Sequence, residues 1–108
     1  MSKPIKWILI NGEIRLSTCL YHRDLLEKNE RGSEVDGGGI VTIDIEENKI
    51  ILHGKSDDFG IVKPELLKKA LQNERNINRI KWICEMIGQH LLDIDYDLVL
   101  NDFEVTTL

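Results

Sequence analysis

His22 stands in "LYHRDLL", where an alternating run gives way to a different period. An imidazole titrates near about pH 6.5, so a histidine placed there suits a general base or acid. One ring nitrogen would be open to a ligand; the same position also suits a capping or exposed histidine with no chemical role. A second cluster is "GKSDDFG", Gly54 to Gly60, at the end of a strand-like run. A turn of this composition can aim successive backbone N–H groups into one concavity that binds anions. It also suits a plain connecting loop. Gly54-Lys55-Ser56 has no partner glycine five residues before it, where Lys49 stands, so this is neither a P-loop nor a dinucleotide fingerprint. Lys6 lies inside the apolar run "IKWILI", and Arg15 in the next run. Each either snorkels from an edge or serves a site. A hairpin could bring both cations to one face.

The remaining candidates carry less. Asp93, Asp95, Asp97 and Asp102 alternate but lack the spacing and the glycine of a calcium loop. They read as solvated positions. His53 ends a strand-like run and His90 ends a helical one, where the helix dipole favours it. Nothing pairs the two as zinc ligands. Cys19 and Cys84 form no C-x-x-C motif and read as reduced, buried thiols. No metal or cofactor is expected.

The chain has 108 residues, 42% hydrophobic and 31% charged, as expected of one globular domain spanning 1–108. Its formal net charge of −5 argues against non-specific nucleic-acid binding. A small anionic ligand remains compatible, since a site needs only local donors. No apolar run is long enough to span a bilayer. "MSKPIKWILING" has no small-residue cleavage site, so a cytoplasmic location is expected.

These candidates must be positioned by ordinary elements. Residues 5 to 10 read as a buried strand, followed by Asn11-Gly12, the strongest hairpin signal in the chain. Residues 13 to 21 alternate, with Ile14, Leu16, Thr18 and Leu20 on one face. "HRDLLEKNERG" reads as a short surface helix ending at Gly32. Gly37-Gly38-Gly39 opens a third strand over 40 to 45, and 49 to 53 forms a fourth across the turn "EENK". A helix begins at Pro64, with Leu66, Leu67, Ala70 and Leu71 on one face. A second helix over about 76 to 92 carries Ile77, Ile80, Cys84, Ile87 and Leu91, widened by Trp82 and Ile83. Residues 96 to 101 read as a closing core strand, with "FEVTT" as a short extension. The order β-β-α-β-β-α-α-β implies an α+β fold, a mixed sheet of five to six strands flanked by helices.

Taken in order, these pieces resemble the phosphohistidine phosphatase (Janus) family. The landmarks are "KWILI" from Lys6, "YHRDL" from Tyr21, "GGGIVTID" from Gly37 and "KIILHGKSDDFG" from Lys49. "DYDLVLND" is similar to the family's closing strand. The segment of about 72 to 90 has no counterpart and reads as a helical insertion. The resemblance implies a metal-independent phosphatase of phosphohistidine. His22 would be the base that activates water. Lys55, Ser56, Asp57 and Asp58 would bind phosphate through backbone N–H groups and the Ser56 hydroxyl. Lys6 would be the supporting cation, and Arg15 an approximate counterpart of the family arginine. The partner would be a phosphorylated protein or a small phosphoramidate. Ile40 replaces the family's basic residue after the glycines, and Asp57 and Asp58 bring negative charge to the loop. These departures suit an alternative, a non-catalytic anion- or protein-binding module on the same fold. In a third reading the 76–92 helix buries its apolar stripe against another copy.

Overall fold

Asn11 and Gly12 both have positive φ, 50° and 78°. That is what a two-residue type I′ turn requires, and its twist matches that of the strands it joins. The turn connects β1 (Ile5–Ile10) to β2 (Glu13–Thr18) in antiparallel register, Ile10 opposite Glu13. The computed structural model describes residues 4–19, 21–90 and 99–107. Three more strands complete one sheet: β3 (Val35–Asp44), β4 (Lys49–His53) and β5 (Glu104–Thr107). The spatial order is β2-β1-β3-β4-β5, with β5 alone parallel to its neighbour. With α1 (Pro64–Ala70) and α2 (Glu74–His90), this is an α+β fold with a five-stranded mixed sheet.

Strand alternation divides the sheet into two faces. Trp7, Leu9, Ile14, Leu16, Val41, Ile50 and Leu52 meet Leu67, Ala70, Ile80, Cys84 and Ile87 in the main core. The helices therefore cover this face. Ile8 and Ile10 point the other way and are also buried. The turn at His22–Leu25 packs against β1 on that side.

Several boundaries differ from the sequence expectation. The 22–32 segment is not a helix. It is a 3-10 turn at His22–Leu25, extended backbone at Leu26, and a second 3-10 turn at Gly32–Glu34. A helix there would have only Leu25 and Leu26 to bury, too little to offset its nucleation. Arg15 instead donates to the Leu25 carbonyl and to both carboxylate oxygens of Glu30, holding the segment open along the sheet. β3 does open through the triple glycine, all three of which pair with β1, but it starts two residues before them, at Val35. Asp36 is bulged out between the pairs Leu9–Gly37 and Ile10–Val35. β2 ends at Thr18; Leu20 lies outside the described residues.

The closing strand is also displaced. Val99 to Asn101 are not in a strand: Phe103 N–H bonds the Leu100 carbonyl in a turn, and the strand is the "EVTT" that follows. Positions 96–98, like 91–92 and the aspartates 93, 95 and 97, lie outside the described residues. α1 buries Leu67 and Ala70, whereas Leu66, expected on the same face, is exposed. α2 begins two residues early because the Asn73 carboxamide accepts the Arg75 N–H at 2.9 Å, a cap on the first turn. Ile80, Cys84 and Ile87 are buried within this chain, so that stripe is not available to another copy. Trp82 does not widen it: it is 65% exposed. Among the described residues no helix is long and apolar enough to cross a membrane.

Candidate functional site

The glycine run forms the floor of the site. A Cβ on Gly38 would overlap the Trp7 carbonyl and come within 3.1 Å of the His22 ring. One on Gly39 would overlap the His53 carbonyl and reach 2.9 Å from Trp7 Nε1. Gly37 has φ +141° and sits against the backbone of Val62. The strand is thus bare where the histidine turn and the 61–62 backbone approach it.

His22 is the best-defined candidate. It is 5% exposed, and its Nε2 lies 2.8 Å from the Gly39 carbonyl oxygen. A carbonyl only accepts, so Nε2 carries the proton and donates it. Nδ1 is then the proton-accepting nitrogen of the neutral ring. The turn that presents the ring is closed by two bonds, Asp24 N–H to the Tyr21 carbonyl at 3.0 Å and Tyr21 N–H to Asp24 Oδ2 at 3.1 Å.

The 54–60 loop adjoins this turn. Arg23 N–H donates to Asp58 Oδ2 at 3.2 Å, and Gly38 N–H donates to the Gly60 carbonyl at 3.1 Å. The structure therefore brings His22, the triple glycine and the second glycine turn together. Inside the loop, Ser56 N–H and Gly60 N–H close a small bridge, at 3.1 and 2.8 Å. Ser56 is 2% exposed, and its hydroxyl accepts the N–H groups of Asp58 and Phe59 at 3.2 and 3.1 Å. That hydroxyl shapes the turn, as serine does in short loops. Lys55, Asp57 and Asp58 are exposed.

Lys6 and Arg15 share the His22 face of the sheet, through the pairs Lys6–Ser17 and Ile8–Arg15. They differ in surroundings. Lys6 lies opposite Ile40, which lies opposite His53, in one row across β1, β3 and β4. Arg15 is committed elsewhere: it binds Glu30 through two nitrogens, Glu13 at 3.3 Å and the Leu25 carbonyl at 3.2 Å. The paired carboxylate raises the Arg15 pKa further, and the guanidinium together with the Glu27 N–H holds Glu30 down at about 2. Arg15 acts on the site by anchoring the histidine segment.

Two features are not visible in the sequence. The Gly39 carbonyl fixes the His22 tautomer, yet the glycine run signals only missing side chains. His53 Nε2 lies 2.7 Å from Thr42 Oγ1, a contact that depends on the β3–β4 register. Compared with protein-family models, with curated proteins and with solved structures, the chain has no match.

Proposed function

We propose that the chain is a phosphohistidine-phosphatase-like hydrolase in which His22 is the general base. The observation that carries this reading is the bond from His22 Nε2–H to the Gly39 carbonyl, which leaves Nδ1 as the acceptor nitrogen in a turn tied to the 54–60 loop by the Arg23 N–H bond to Asp58. In the proposed reaction Nδ1 takes a proton from water as its oxygen attacks phosphorus. The P–N bond breaks and the leaving nitrogen takes the proton then held on Nδ1, giving orthophosphate and the free amine or imidazole and returning His22 to its starting form. Such a transfer needs mainly positioning and charge compensation. Lys6 and Lys55 would supply positive charge. The Gly39 carbonyl would stabilise the imidazolium formed in that step.

The expected outcome is slow phosphate release from phosphohistidine or phosphoramidate, reduced about 10²- to 10⁴-fold in His22→Ala. Equal rates for the two proteins would rule out the catalytic reading. One observation favours the non-catalytic module instead. Ser56, Asp58 and Phe59 already spend their N–H groups inside the loop, and an aspartate stands at the turn. Titrating orthophosphate while following the His22 ring by NMR separates the readings: saturable shifts without turnover support a binding module.

A further inference from the structure

On the helix side of the sheet a cavity of about 610 Å³ opens between β4, β5 and α1. Leu52, Val62, Leu67, Leu71 and Val105 form its apolar wall. Its volume is in the range of small-molecule sites, which combine an apolar wall with a few polar groups. The charge here is of one sign. Asp and Glu number 19 in a chain of net charge −5. Yet no carboxylate is among the described residues lining this cavity; its ionisable side chain is Lys68, since His53 touches it at the strand end and turns its imidazole to Thr42 on the other face of the sheet. Lys68 is exposed and in no ion pair among the described residues. Thr106 and Thr107 add hydrogen-bonding groups along β5.

We propose that this cavity binds a small monoacid with an apolar body, its carboxylate at Lys68 and its hydrocarbon part against Leu52, Leu71 and Val105. The apolar wall supplies the affinity and the Lys68 ammonium selects the head group. An ammonium head group would meet Lys68 with like charge, and a neutral one would gain no charge attraction from it. The site is separate from His22, which lies on the opposite face of the sheet. Its wall includes Gly54 and Ile61, the two roots of the 54–60 loop.

Sodium octanoate, 1-octanol and octylammonium chloride, titrated into the ¹⁵N-labelled full chain, test the proposal. Octanoate is expected to give saturable amide shifts at Leu52, Leu71, Val105 and Thr106, with a Kd of about 1 mM or tighter. Octanol should bind more weakly, and octylammonium more weakly still. Lys68→Glu, at an exposed position, should weaken octanoate about threefold or more and leave octanol unchanged. Absence of saturable shifts with octanoate overturns the site. Octylammonium binding as tightly as octanoate, or an unaltered octanoate Kd in Lys68→Glu, overturns the assigned head group.

Discussion

Gly38 has no room for a side chain, since a Cβ there runs into the Trp7 carbonyl and crowds the His22 ring. Gly38→Ala is therefore expected to destabilise the fold by about 1–3 kcal/mol or more, read as a lowered urea midpoint. An unchanged midpoint would mean the strand can shift to admit the methyl group. Asn76 is the second residue whose role depends on neighbours remote in sequence. It is 2% exposed, accepts the Ile14 N–H at 3.1 Å, and donates to the carbonyls of Gly12 and Ala70, both at 2.9 Å. One side chain thus joins the first hairpin, the end of α1 and α2. Asn76→Ala strands the Ile14 N–H and takes a donor from the Gly12 carbonyl, while the Ala70 carbonyl keeps the Asn73 N–H, so a loss of about 1–3 kcal/mol is expected by chemical denaturation. In the sequence Asn76 reads as an ordinary polar helix position, because its partners are identified only once α2 is seated on β2.

The elements were legible where local signals decide them. Asn11-Gly12 announces its hairpin through backbone conformation alone, and the spacing of Ile80, Cys84 and Ile87 announces the buried face of α2. Where tertiary contacts decide, the reading failed. Nothing local says that three glycines pair with β1, or that Arg15 draws residues 22–31 out of a helix. That last contact has a pH signature. Glu30 titrates at about 2 when folded and in the ordinary glutamate range when unfolded, because the Arg15 guanidinium binds its carboxylate. A depressed folded pKa stabilises above the unfolded value and stops doing so as pH falls through the folded one. Glu30→Gln should therefore lower stability at pH 7, and the gap to wild type should close between about pH 4.5 and pH 2. A gap independent of pH would place the contribution elsewhere. α2 offers a separate check. Burial pushes the Cys84 thiol up to about 12, so it should react with a thiol reagent only as fast as the chain opens.

For the molecule as a whole, α2 works inward. Ile80 and Ile87 fill the core of their own sheet, so Ile80→Asn should unfold the chain rather than dissociate an oligomer. Sedimentation combined with circular dichroism distinguishes these outcomes. The least secured part of the sheet is its parallel edge. β5 is four residues long and pairs Lys49 with Glu104, across both helices in sequence. A non-local parallel contact forms late in folding, because the intervening chain must be closed first. Until it forms, β4 presents Ile50, Ile51 and Leu52 along a bare edge able to accept a strand from any other molecule. The short strand then governs the time during which this chain can aggregate while it folds. Refolding yield should accordingly fall with protein concentration, and more steeply still when residues 104–107 are deleted.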